Sequence, residues 1–551
     1  MNTWSEIVRD LTLQLVRWPS VTNSPGEGRW SQQLADWLGR QPYFAANPGH
    51  LRLERTIDDG HERSNLYALV RGEGPDTVVL VGHYDVVSVE NYGDLAEWAG
   101  DPEALLPRLI AALEAHAPSP ADRLALDDLR SGDFMPGRGA LDMKGGLAAG
   151  LAVLLRFASQ PGRRGNLLFV ATPDEEEASH GARSAAAQLP ALAGEWGLDL
   201  AAAINLDASS DHGDGSQGQA VFLGTVGKFL PAVYLVGRET HAGYPFDGVN
   251  ANLLAAAVTQ AIECNVALCD EAEGEVAPPP VSLKQSDLKT YYDVTTPTAA
   301  WCYFNYLTHG RSAGTVLDLF TAATRAALEG ALAAQFEQAR RYAARVGGPA
   351  PVLWQTTVLS YAELAGLARQ NGGAGVEPGL ARLTAGLMAD PALDAPTFSR
   401  HVVEYLWRCS GLSGPAAVVC FGSLHYPHSL VAGRSERERR LHAQCLEHAE
   451  ALSGQGAAPI SVRPFFTGIS DMSFYGSAMQ AADQAVVVAN TPLWGSRLKF
   501  DYGLVRALNL PTVNIGPWGR DYHQRLERVY LPYLTSTLPE LIWRVALGVL
   551  G

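Results

Sequence analysis

Five short segments of this chain collect imidazoles and carboxylates at the points where apolar runs stop. The first is VGHYDVV, where His83 and Asp85 stand two apart. That spacing suits one ligand and one orienting carboxylate, because a metal-bound imidazole usually donates its second N–H to such a partner. The second is GRGALDMKGG, with Asp142 in a glycine-rich turn. The third is TPDEEEASHGAR, in which Asp174, Glu175, Glu176 and Glu177 are consecutive; four adjacent acids repel one another unless a cation draws them together. The fourth is INLDASS, with Asp207, and the fifth is GPWGRDYHQRLE, with His523. Taken singly, each has a plain structural reading: a strand-end His, a capping aspartate, a solvated acidic loop. Taken together they supply two imidazoles and several carboxylates with no thiolate. That donor set suits zinc, manganese or cobalt, and two ions if one carboxylate bridges them.

Such residues need a scaffold that brings strand ends together. The first third of the chain alternates helix and strand signals. Ile7, Leu11, Leu15 and Val16 repeat at helical spacing up to Pro19, and Trp30 to Leu38 predicts a second helix. Strands are expected at Asn65–Val70, Thr77–Val81, Asn166–Ala171 and Ala201–Leu206, with helices at Gly145–Ala158 and Ala182–Leu189. This rhythm predicts an α/β fold: a mixed, mostly parallel sheet flanked by helices, with ligands at the C-terminal strand ends. The polar, glycine-rich stretch from Asp211 reads as a linker or crossing loop. Beyond it, strand signals near Val221, Val233 and Ala299–Leu307, helices at Asn252–Val266 and Val316–Ala344, and a breaker at Pro278 to Pro280 predict an inserted α+β module. Strand signals at Ala416–Phe421, Ile460–Phe466, Ala485–Ala489 and Thr512–Ile515 are expected to complete the first sheet. The implied organisation is residues 1–215 and 415–551 as one discontinuous domain, with 216–414 inserted.

Composition narrows the function classes. The chain has 551 residues, 47% apolar and 18% charged, with net charge −16. A nucleic-acid grip by bulk charge is excluded by that sign. Six cysteines without a CxxC pair argue against a disulfide framework or a thiolate zinc site and for a reducing cytoplasm. Residues 1–15 carry Glu6, Arg9 and Asp10, unlike a secretory leader, and the apolar stretch Gly145–Leu155 is about half a membrane span, so no membrane partner is expected.

The segments GHYDVV, GRGALDMKGGLAA, PDEEEASHGAR, THAGYPFDGVNA and NIGPWGRDYH, in this order, resemble the di-zinc amidohydrolases of metallopeptidase family twenty. That family includes aminoacylases, dipeptidases and succinyl-diaminopimelate desuccinylase. SGDFMPGRGALDMKGG, FFTGISDMSFYG and TPLWG look more narrowly like its arginine-utilization RocB subgroup. The resemblance covers nearly the whole chain and is thinnest from about Pro349 to Gly414. It implies a di-zinc peptidase fold with a lid inserted in the catalytic domain. It implies that His83 and Asp207 hold a first metal, that Glu176 and His523 hold a second, and that Asp142 bridges them. Glu175 would be general base to a metal-activated water, Asp85 would steer His83, and His241 of the lid motif would polarise the scissile carbonyl. It also implies a cis peptide after Asp142. The family's GxNA segment matches Asn250 as a substrate contact; Arg311, Arg520 and Lys228 are candidates by residue type alone. An Asp at position 207 follows the dipeptidase and tripeptidase branches. His425 and His428 are expected to be surface or core-packing residues and not metal ligands, and Tyr291 and Tyr292 packing groups and not substrate contacts.

The expected activity is hydrolysis of an amide or peptide bond in a small amino-acid derivative: an N-acyl amino acid, a dipeptide or an arginine-related amide. The cofactor would be two divalent ions, zinc first, with manganese or cobalt as alternatives. A non-catalytic member that binds amino-acid derivatives or a protein partner is the competing reading, and the presence of every family ligand and base weighs against it. Dimeric relatives pair through the lid, whereas the monomeric dipeptidase branch enlarges it. The insertion here is roughly twice a compact domain of about 100 residues, yet a homodimer through the lid is placed slightly ahead of a monomer.

Overall fold

The computed structural model describes residues 4–116, 119–211, 218–390, 392–453, 458–477 and 479–551. The chain forms two compact units. The first comprises Met1–Thr225, Ser429–Ala478 and Gly503–Gly551; the second comprises Val226–His428 and Met479–Tyr502.

The first unit is built on an eight-stranded sheet. Its strands are β1 (Leu51–Arg55), β2 (Ser64–Val70), β3 (Glu73–His83), β4 (Arg164–Thr172), β5 (Asp199–Asn205), β6 (Ala220–Phe222), β7 (Ser461–Arg463) and β8 (Thr512–Asn514). They lie in the order β1-β2-β4-β3-β5-β8-β6-β7. The central run β4-β3-β5-β8 is parallel, whereas β1–β2, β2–β4 and β8–β6 are antiparallel. β3 reads TVVLVGH over its second half and is buried from Thr77 onward, the pattern of a strand covered on both faces. Helices α1 (Trp4–Arg17) and α2 (Pro25–Gly39) start the chain, and Ser24 caps α2 with Pro25 at its first turn. Helix α3 (Gly145–Ser159) is apolar nearly all round and packs inside. Gly146 lets it touch the sheet: a Cβ there would stand 2.0 Å from the carbonyl oxygen of Leu206. A small four-stranded sheet joins Phe134–Pro136, Arg528–Tyr530, Trp518–Arg520 and Ser209–Asp211, so that the turns carrying Asp142 and His523 share one support.

The second unit holds a six-stranded sheet whose middle strand, Pro231–Val236, pairs antiparallel with Ala299–Thr308 on one side and Ala416–Phe421 on the other. It also contains a 34-residue helix, Ala313–Val346. Several expectations change here, beginning with the strand near Val221, which is β6 of the first sheet and not part of the inserted module. Ala416–Phe421 belongs to this sheet and not to the first. Ala485–Ala489 lies in a helix, Ala481–Asn490, also in the second unit; a five-residue apolar run has no period that separates strand from helix. The boundaries of the units therefore fall at Thr225 and His428, and the chain returns to the second unit at 479–502. The expected boundary between 215 and 216 lies outside the described residues. Tyr291 and Tyr292 are exposed, at 71% and 92%, and are not packing groups. His425 is one: it is buried, stacked on Phe229 at 4.0 Å, with Nδ1 at 3.0 Å from the Lys228 carbonyl.

Candidate metal centre

The parallel strands end together and deliver the chemistry-bearing residues to one place. His83 is the last residue of β3, Asp207 follows β5 and the acidic loop follows β4. The Asp142–Met143 peptide is cis, as the resemblance implied. The carboxylate of Asp142 lies between the two imidazoles: Oδ1 is 3.1 Å from His83 Nε2 and Oδ2 is 3.1 Å from His523 Nε2. Asp207 Oδ1 stands 3.7 Å from His83 Nε2, and Glu176 Oε2 stands 3.0 Å from His523 Nε2. Two donor groups result, one of His83 and Asp207 and one of His523 and Glu176, with Asp142 common to both. One ligand atom each from His83, Asp142 and Glu176 lies within 4.8 Å of the others. Glu175 Oε2 is 4.0 Å from His83 Nε2.

The tautomer of His83 tests whether a cation fits. Its Nδ1 is 3.1 Å from the carbonyl of Asp85, which can only accept, so Nδ1 carries the proton of the neutral ring. In that neutral ring Nε2 turns a lone pair toward Asp142 Oδ1, 3.1 Å away; burial opposes a second proton, but Asp142, Asp207 and Asp85 raise the ring's pKa well above its usual range, so a proton or a cation takes that place. A divalent cation held by His83 and Asp142 would replace that proton and offset the crowd of carboxylates. Charge in the protein alone is strained in the same sense. Burial, and then the neighbouring acids Asp207, Glu176 and Asp471, raise the pKa of Glu175 well above its usual range against the pull of His83. Burial raises Glu176 to about 7. Burial works against the charge on His523, yet Asp142 and Glu176 outweigh it and hold that ring at about 10.

The supports of these ligands escape sequence reasoning. Asp85 was expected to steer His83 with its carboxylate, but its backbone carbonyl is the nearer contact; the carboxylate Oδ1 is 3.5 Å away. That carboxylate also accepts the backbone N–H groups of Glu175 and Glu176, at 3.1 and 3.2 Å. Asn514 on β8 grips Asp207 twice, accepting its N–H at 3.0 Å and donating to its carbonyl at 2.8 Å. Glu527 is fully buried and accepts from the N–H groups of Gly139, Leu141 and Asp142 while binding Arg138. Arg138 and Asn91 in turn donate to the carbonyl of His523. Asp471 is buried beside Thr172, at 3.3 Å, and burial raises its pKa to about 7. The one sequence signal for Asp471 is an acid isolated among small and apolar residues in GISDMSF.

The expected substrate contacts fare differently. Arg520 is held by Asp128 at 2.7 Å, and Arg311 by Asp270, Leu268 and Cys269. Both guanidiniums thus serve their own chain, and residue type alone could not reveal these partners. Asn250 caps the helix Ala251–Ile262 by accepting from Asn252 N–H at 2.9 Å. Lys228 lies over the ring of Tyr426. His241 lies in the second unit, exposed, and its Nδ1 accepts from Gly243 N–H at 3.0 Å, so its neutral ring carries the proton on Nε2.

The fold and the paired donor groups define a metallopeptidase-type hydrolase. The family model of peptidase family M20/M25/M40 matches residues 79–493, and the chain belongs to this family. Protein YqjN of Bacillus subtilis is 33% identical over 98% of this chain and 96% of its own length. Protein RocB of the same organism is 30% identical over 99% of this chain and 95% of its own. A tripeptidase from Staphylococcus aureus shares the fold, with TM-score 0.53 at 16% identity over 99% of this chain and 98% of that one. Among the described residues no helix is long and apolar enough to cross a membrane.

Proposed function

We propose that this protein is a divalent-metal-dependent hydrolase that cleaves an amide or peptide bond of a small amino-acid derivative. The observation that carries the reading is the carboxylate of Asp142 set between two imidazole–carboxylate groups, with Glu175 buried beside them. His83, Asp207 and Asp142 would hold one ion, and Glu176, His523 and Asp142 a second, with zinc favoured by the donor set. Bound ions supply a Lewis acid and lower the pKa of water toward neutrality.

The chain's own residues do the rest. Glu175 takes the proton of the attacking water and returns it to the leaving amine. Its buried setting keeps that carboxylate from being solvated by bulk water. His241, with its proton on Nε2, offers a donor to the carbonyl oxygen as charge develops there. Asp207 in place of Glu favours peptide-like substrates within the family. An N-acyl amino acid, a dipeptide or an arginine-related amide fits the reading; the similarity to RocB and, over 44% of this chain, to a succinyl-diaminopimelate desuccinylase of Methylobacterium nodulans supports an amino-acid derivative. The test is a screen of N-acyl amino acids and dipeptides with metal-free protein reloaded with zinc, manganese or cobalt. Metal-dependent release of a free amino acid is expected. No turnover of any member with any of the three ions would remove the reading.

A further inference from the structure

Asp174 is the first of four consecutive acids, yet it does not join the metal-ligating set. Its two oxygens are taken elsewhere: Oδ1 accepts from Arg63 Nη1 at 2.7 Å, and Oδ2 accepts from the backbone N–H of His180 at 3.0 Å and lies 2.6 Å from His180 Nδ1. Its carbonyl accepts from Ala178 and Ser179 N–H groups, and its φ is +70°. Asp174 therefore closes the loop that projects Glu175 and Glu176 on the other side.

Arg63 is the cation that permits this. It immediately precedes β2 and is 2% exposed. Nε and Nη2 bind the two oxygens of Asp59, each at 2.8 Å, and Nη1 reaches Glu27 at 3.1 Å, Asn23 at 3.1 Å and Asp174. Three buried carboxylates share one guanidinium, and its planar fork is what allows three directions at once. An ammonium at this place would meet one or two of them.

We propose that Arg63 is a positioning residue of the metal centre: by neutralising and anchoring Asp174 it sets the backbone that aims Glu176 and Glu175. The inference rests on the proposed function only for the role of Glu175. Its sharper consequence concerns Glu176, because the other donor group stands on strand ends that Arg63 does not touch. Loss of the anchor should weaken the group of Glu176 and His523 and spare that of His83 and Asp207.

The experiment is titration of metal-free full-length protein with cobalt(II), followed by its visible absorption and by calorimetry. In Arg63→Lys, and in Asp174→Asn as a second route should Arg63→Lys fail to fold, one class of cobalt site is expected to weaken by about 10- to 100-fold. The other class should stay within about threefold of wild type, and kcat should fall far more than KM changes. Asp59→Asn cuts Arg63 from a different partner and should leave both classes unchanged. Equal weakening of both classes, or no weakening of either, would overturn the proposal. Because the readout is cobalt binding, it stands or falls separately from whether any amide is hydrolysed.

Discussion

Glu175 stands 4.0 Å from His83, outside both imidazole–carboxylate groups, and is the proton acceptor of the proposed hydrolysis. A Glu175→Gln exchange keeps its shape and removes its basicity. Turnover is expected to fall by about 10²- to 10⁴-fold with metal content unchanged, read by steady-state kinetics beside metal analysis. A variant within about threefold of wild type would take Glu175 out of that role. His425 makes a separate prediction. Burial depresses its pKa from 6.5 to about 3, against a small lift from the Lys228 carbonyl. The unfolded chain then binds the proton first, so stability present above pH 6.5 is lost as the pH falls toward 3, by up to about 1.4 kcal/mol per pH unit. Urea midpoints from pH 7 to 4 should decline less steeply for His425→Asn; parallel declines would show that this ring is not the source. Of the site itself, the sequence motifs named His83, Asp142, Glu176, Asp207 and His523, which the structure brings together. Arg63, Glu527 and Asn514 stayed hidden because their partners lie up to hundreds of positions away, and nothing local marks a buried Arg or Asn as an anchor.

At the level of elements, the ends of β5 and β8 approach so closely that only glycine fits between them. A Cβ on Gly516 would stand 1.8 Å from the carbonyl oxygen of Asp207. Gly516→Ala must therefore push the backbone of Asp207, a proposed metal ligand. It is expected to cost about 1–3 kcal/mol of stability, as overpacking does, and to weaken metal binding; unchanged urea midpoint and metal affinity together would refute it. The long, regular elements were legible: β3, α3 and Ala313–Val346 all announce themselves by burial pattern or helical period. Short apolar runs were legible unevenly: Asn65–Val70, Asn166–Ala171, Ala201–Leu206 and Thr512–Ile515 fall on strands as expected, whereas Ala485–Ala489 lies in a helix. Ala416–Phe421 is a strand as expected, but which sheet it joins is decided by pairing with Pro231–Val236, a contact nearly two hundred residues away.

For the whole molecule, ions that bind the folded centre and not the unfolded chain must stabilise it. At a hundredfold excess over Kd a single site adds about 2.7 kcal/mol. Chelation should therefore lower the thermal midpoint as well as abolish activity, and readdition of zinc, manganese or cobalt should restore both; a midpoint indifferent to chelator would argue against a metal centre. Assembly has its own test. Mixed subunits of His241→Ala and Glu175→Gln should regain activity if His241 serves a second copy in a homodimer, and should stay inactive, with exchange verified, if it serves its own chain. The expected discontinuous plan rested on the switch in strand and helix rhythm near Asp211. The return of 479–502 to the second unit was not legible, because its one helix reads locally like a strand.

The position of His523 also sets a clock. It lies 347 residues after Glu176, and β8, its neighbour in sequence, slots between β5 and β6 in the middle of the sheet. At about 5–20 residues per second, a ribosome needs roughly 17–70 s to travel that distance. Throughout that time the nascent chain carries the acidic loop but neither the central strand nor the second imidazole. A donor set laid out in this order stays incomplete until His523 has been made, long after the acidic loop.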